Sequence, residues 1–127
     1  MHEKHLYEYA VLRVVPKVER EEFINIGLLL FCKRQKYLRI EYHIFSDKIK
    51  SICKEFDIEQ LTENLESFVK IGKGDKNSGP IATFEISERF RWLTAVKSSS
   101  IQTSRPHSGF SSDLDETFEK LYSELVL

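Results

Sequence analysis

Ser104, Arg105, His107 and Ser108 fall within five residues of one another. A serine beside a histidine is the raw material of nucleophilic catalysis, in which the imidazole takes the hydroxyl proton. That chemistry also needs an orienting acid and a fixed turn, and no Gly-x-Ser-x-Gly elbow or equivalent is present. Serine-rich stretches commonly build turns and helix caps, so the segment assigns no catalytic residue. The stretch GKGDKNSGP, residues 72–80, raises phosphate binding instead. Gly74 and Gly79 have the spacing of a phosphate loop, but Pro80 and Ile81 stand where lysine and Ser or Thr must be. The stretch also follows a helical pattern rather than a strand, so it reads as a solvated connector. His2, His5, His43, His107, Cys32 and Cys53 are scattered without metal-ligand spacing. No metal and no cofactor is expected.

Basic residues beside aromatic ones carry more information. Lys33, Arg34 and Lys36 share one turn; Arg89, Arg91 and Lys97 flank Phe90 and Trp92; Arg105 and His107 follow. Such groups contact phosphates, stack on bases or anchor a protein partner. The competing reading puts Phe90, Trp92 and Leu93 in the core and pairs the arginines with nearby acids. A third group is Arg20, Glu22 and Asn25, at the mouth of a strand in which Asn25 and Gly27 interrupt apolar residues. Asparagine is disfavoured in a strand and needs hydrogen-bond partners when buried, and glycine there permits a bulge or a close backbone approach. The candidate binding residues are therefore Arg20, Glu22, Asn25, Arg89, Arg91, Trp92, Arg105 and His107, with no catalytic and no metal-binding residue named. An enzymatic site, the least supported reading, would draw on Arg20, Glu22, Asn25 and His107.

The elements that must position these residues follow from periodicity. Residues 6–15, LYEYAVLRVV, are β-branched and aromatic with apolar side chains on both faces, which predicts a central strand ended by Pro16. Residues 23–32 predict a second strand, with Ile24, Ile26, Leu28, Leu30 and Cys32 on one face. A four-residue turn leads to a third, in which Leu38, Ile40 and Tyr42 alternate with Arg39 and Glu41. Ser46 is placed as the cap of a helix carrying Ile49, Ile52, Cys53 and Phe56, and Asp57 with Gln60 as a capping box for a second helix ending at Gly72. Ile81–Ile86 reads as a short strand, Ser87 as the cap of a short helix through Leu93, and Ile101–Ser104 as one more strand. Ser112 is placed as the cap of the last helix, whose stripe is Leu114, Phe118, Leu121, Tyr122 and Leu125. The fold class is α+β: a mainly antiparallel sheet of three to five strands with three or four helices packed on it.

Composition sets outer limits. The 127 residues suit one domain spanning 1–127, and 19 Lys plus Arg against 20 Asp plus Glu give a net charge of −1. That balance excludes a globally basic nucleic-acid binder while leaving room for a local patch. With 41% apolar and 12% aromatic residues the chain can bury a real core, which excludes disorder as its main state. The longest apolar run, Ile26–Cys32, falls far short of the ~20 residues of a membrane span. The first five residues contain no apolar signal segment. A reduced, cytoplasmic protein with no membrane partner is expected.

At YEYAVLRVVPKVEREEFINIGLLLFC, and again at ERFRWLTAVKSSSIQTSRPHSGF, the chain resembles a bacterial family catalogued as domain of unknown function 3037 (DUF3037). The matching positions are Tyr7 through Pro16, Glu19, Arg20, Glu22, Phe23, Asn25, Gly27, Glu88 through Thr94, Ser98, Gln102, His107 and Gly109. Glu21-Glu22 replaces the family's usual small residue before Phe23, and Ser98-Ser99-Ser100 replaces a less serine-rich stretch. The resemblance supplies no activity and no catalytic residues. It implies a partner, a HipA-like kinase, and hence a small accessory or antitoxin-like role. The leading expectation is a non-enzymatic interaction protein. The alternative is a protein that binds nucleic acid or a phosphate ligand through Lys33, Arg34, Lys36, Arg89 and Arg91. Trp92 and Phe110 are expected to pin the polar segment between them to the core.

Overall fold

The structure, a computed structural model, describes residues 3–95 and 100–127. His5–Val14 form β1, and every other strand is laid out around it. On one side lies β2 (Ile24–Cys32), followed by β3 (Tyr37–Tyr42), both antiparallel. The other side of β1 is shared end to end by two short strands. β4 (Ile101–Thr103) pairs with Leu12–Val14, and β5 (His107–Ser111) with His5–Tyr9. β1 is central, as its two apolar faces require.

Between β4 and β5 the chain leaves the ladder at Pro106, which has no N–H to offer. Ser104 mends the gap. Its N–H donates to the Val11 carbonyl at 2.8 Å, and its Oγ accepts from the Val11 N–H at 2.8 Å. β5 itself departs from the expected loop, since HSGFS has little strand propensity and is held by pairing with β1.

A bulge sets the two faces of the sheet. Leu12 lies opposite Gly27, but the next pair is Arg13 with Asn25, so Ile26 has no partner across β1. One extra residue inverts the alternation of β2. Ile26 therefore packs with Leu12, Val14, Leu29 and Phe31, whereas Leu28, Leu30 and Cys32 point the other way. The expectation that Ile24 and Ile26 share a face with Leu28 is corrected by this bulge. Gly27 allows it, because a Cβ there would stand 2.6 Å from the Glu41 carbonyl oxygen and 2.9 Å from Tyr42 Cβ.

Helices cover both faces. α1 (Ser46–Ile52), α2 (Ile58–Gly72) and α3 (Ile86–Ala95) bury Ile49, Leu61, Leu65, Phe68, Phe90 and Leu93 against the first face. α4 (Leu114–Leu125) buries Leu114 and Phe118 on the second, against β2. Among the described residues this makes five strands and four α-helices, the α+β class expected. Asp57 caps α2 through the Gln60 N–H at 3.0 Å, but the Gln60 side chain turns to Asn64 and leaves the capping box half made. Gly72 is the last residue of α2, buried against Ile40, with Lys73 as the cap. Ser46 is already helical and caps nothing, and Asp113, not Ser112, caps α4 through the Glu116 N–H at 3.1 Å. A carboxylate suits that end of the helix dipole better than a hydroxyl. Residues 81–86 are not a strand. Pro80–Thr83 form a 3-10 turn and α3 starts at Ile86, so Ser87 lies inside it, because Gly79-Pro80 turns the chain away from extension.

The start of α4 is tied down by Arg39. Its guanidinium contacts Asp115, Glu119 and Glu41, and lies 4.1 Å over the Phe118 ring. Tyr37 donates to Asp115 at 2.6 Å.

Two outcomes follow for stability. Gly27→Ala should destabilise the protein by about 1–3 kcal/mol, read as a lower urea midpoint at constant m. Burial, then the hydrogen bond to Asp115, push the Tyr37 phenol up to about 12 despite the opposing effect of Arg39. An unfolded phenol ionises near pH 10, so this contribution is complete below pH 10 and is lost as pH rises toward 12. The stability difference between the native chain and Tyr37→Phe should shrink over that interval, checked by urea unfolding at stepped pH.

Candidate functional site

The sequence candidates separate into two places. Asn25, opening β2, lies directly opposite Arg13 of β1, and Gln102 of β4 lies opposite Arg13 on its other side. The three form a polar row across three strands on the α4 face. Asn25 Nδ2 donates to the Leu125 carbonyl at the end of α4 at 3.2 Å, which orients the amide. Its Oδ1 and the Arg13 Nε are both buried without a hydrogen-bond partner among the described residues. The Arg13 guanidinium stands 4.2 Å over the Phe23 ring, and Phe23 is 49% exposed.

His107 continues this surface along β1. It pairs with Tyr9, their rings 5.3 Å apart, and Tyr9 adjoins Tyr7, whose ring covers Gly109. Tyr9 and Arg13 are four residues apart on one strand, about 13 Å. The α4 face thus carries a polar and aromatic array, in which Tyr7 and Tyr9, packed against the α4 cluster, are followed by His107, Arg13, Asn25 and Gln102. Arg20 and Glu22 sit in the connector between β1 and β2, exposed and ion-paired with each other. Arg105 is exposed between β4 and β5. The Ser104 hydroxyl, a nucleophile on paper, is engaged by the Val11 N–H and donates to the Arg105 carbonyl at 3.2 Å.

Arg89, Arg91 and Trp92 belong to α3, on the opposite face. Arg89 Nη1 donates to the Phe84 carbonyl at 2.6 Å, and Arg89 lines a cleft of about 500 Å³ with Lys33 and Lys36 of the β2–β3 turn. That turn lies at the far end of β2 from Asn25, roughly 25 Å along the strand. Arg91 is exposed, and Lys97 and Ser98 lie outside the described residues. Arg34 of the same turn pairs with Glu3 at 2.9 Å. The cationic residues of the nucleic-acid alternative therefore share one cleft only in part.

Trp92 and Phe110 do not pin the intervening segment. Trp92 is 37% and Phe110 69% exposed, because the buried stripe of α3 falls on Phe90 and Leu93. The segment is held by strand pairing and by the hydroxyl of Thr103, which donates to the Thr94 carbonyl at 2.9 Å.

Arg13 was missed by pattern reading, although a charge inside the apolar run of residues 10–15 is the signal that would have found it. Gln102 gives no such signal, since only the register places it beside Arg13. Among the described residues, no group of three or more His, Cys, Asp or Glu side chains could hold a metal ion. Nor, among them, is any helix long and apolar enough to cross a membrane.

A five-stranded antiparallel sheet with three helices on one face, one on the other and a polar-aromatic array on the side of that single helix defines a small α+β protein. The chain belongs to the DUF3037 family: the model of that family, described as a protein of unknown function, matches residues 9–126. Comparison with curated proteins and with solved structures finds no match.

The α3 packing makes a sharp contrast testable. Phe90→Ala, at 1% exposure and stacked on Phe31 at 4.9 Å, should cost about 3–5 kcal/mol. Trp92→Ala should cost well under half of that, with both read from chemical denaturation.

Proposed function

We propose that this chain is a non-catalytic recognition protein that docks a protein partner on the α4 face of its sheet, beside α4. The observation that carries the reading is the Asn25–Arg13 pair. A buried N–H donor and a buried carbonyl acceptor stand opposite each other on neighbouring strands, each without a partner. Leaving such a group unsatisfied costs about 1–3 kcal/mol, which a partner offering a carbonyl and an N–H would recover once the two side chains turn outward to meet it. A peptide group offers both. Arginine and aromatic side chains of the kind gathered here are enriched at interface hot spots.

The partner in this reading is the HipA-like kinase that the family resemblance implies, with the chain acting as an antitoxin-like accessory that restrains it in the cytoplasm. The free thiols of Cys32 and Cys53 are compatible with a reducing compartment. Binding of a nucleic acid is the less favoured reading, since Arg34 is neutralised by Glu3 and Arg91 stands apart from the cleft that holds Lys33, Lys36 and Arg89.

The test is co-expression with a HipA-like kinase from the same genome, followed by pull-down and calorimetry. Gln102→Ala and His107→Ala alter exposed side chains, so the unfolding midpoint should hold while affinity drops by about tenfold or more, about 1.4 kcal/mol. No complex at micromolar concentration, or a complex indifferent to both substitutions, overturns the proposal.

A further inference from the structure

The cleft at the other end of the sheet is independent of the partner-binding reading. It lies between the β2–β3 turn and the amino end of α3 and has a volume of about 500 Å³. Lys33 and Lys36 approach it from the turn and Arg89 from α3, and Ser87 also lines it, whereas the Thr83 hydroxyl is donated to the Pro80 carbonyl at 2.6 Å. Glu85 is the one carboxylate in its wall. Three cations against one anion leave the cleft strongly positive, although the chain as a whole carries −1.

The charges here are also uncommitted. Arg20 is paired with Glu22, Arg34 with Glu3, and Arg39 with three carboxylates. Lys33 and Lys36 make no ion pair with a described carboxylate. Arg89 is held in place by the Phe84 carbonyl and keeps a buried Nε without a partner. The first amides of the ten-residue α3 add donors with no acceptor in their own helix. Cations from two separate elements, the Ser87 side chain and a helix amino end suit a compact dianion.

The volume is far larger than a bare phosphate needs and falls in the range of small-molecule sites. One wall is the Phe84 ring, 42% exposed and free to stack. We propose that the cleft binds a phosphomonoester carried on a planar heterocycle, as in a nucleoside monophosphate. The phosphoryl group sits among Lys33, Lys36 and Arg89, and the ring lies against Phe84.

Calorimetric titration of the full chain with AMP, inorganic phosphate and adenosine tests this. AMP should saturate at sub-millimolar concentration and bind about tenfold or more tighter than phosphate, and adenosine should not bind. Affinity for AMP should fall as salt rises. The Lys33→Ala/Lys36→Ala double variant, changing exposed side chains, should raise the AMP Kd about tenfold or more at an unchanged unfolding midpoint. Phe84→Ala should bring AMP down to the level of phosphate. Neither change should affect kinase pull-down, which separates this site from the α4 face. The proposal is overturned if AMP fails to saturate at millimolar concentration, if adenosine binds as tightly as AMP, if phosphate does, or if the double variant binds AMP unchanged.

Discussion

Ile26 has no partner across β1, and its extra place in β2 decides what each face of the sheet carries. Past the bulge, toward the β3 turn, β2 gives Leu28, Leu30 and Cys32 to α4. Before it, Ile24 and Ile26 go to the core under α1, α2 and α3. The same inversion turns Asn25 to the α4 face, opposite Arg13 and within reach of the Leu125 carbonyl. Without it Asn25 would sit in the larger hydrophobic core, where an amide with an unpaired oxygen is costly. The polar row is thus a product of strand register, and register depends on the room Gly27 leaves for Glu41 and Tyr42.

Much of this was legible in the sequence, and the failures share a cause. The first three strands could be read because alternation and β-branched content agree, and α2 because its stripe and its Asp57 cap agree. β5 could not, since His107–Ser111 has the composition of a loop and becomes a strand only because β1 has an edge to offer. Trp92 misled by size, whereas helical phase chose Phe90 and Leu93 for the core. Of the site, Asn25 stood out as a polar residue in an apolar run, and His107 as part of a dense polar stretch. That Asn25 faces Arg13, or that Lys33 and Lys36 share a cleft with Arg89, depends on pairings between distant segments. No local pattern encodes those.

Charge is used in two contrasting ways. Around Arg39 three carboxylates, the Tyr37 hydroxyl and the Phe118 ring converge on one guanidinium that ties α4 to β3. Such a network is worth more than isolated exposed pairs, because its geometry is shared and its charge partly screened from water. In the turn that leads into β3, Lys33 and Lys36 are left without a described carboxylate partner. Architecture consumes one set of cations and leaves the other facing water.

Synthesis on the ribosome meets this topology awkwardly. The strands that complete the second edge of β1 emerge roughly 90 residues after β1 itself, as the 93-residue span between Val11 and Ser104 records. β2 and β3 can form a meander with β1 early, but the other edge of a very apolar strand stays open until β4 and β5 have been made. Open apolar edges recruit other strands, and contacts so distant in sequence close slowly. The nascent protein therefore passes through an interval in which its central strand is its most vulnerable part, and a chaperone or a co-translated partner able to cover that edge would matter most then.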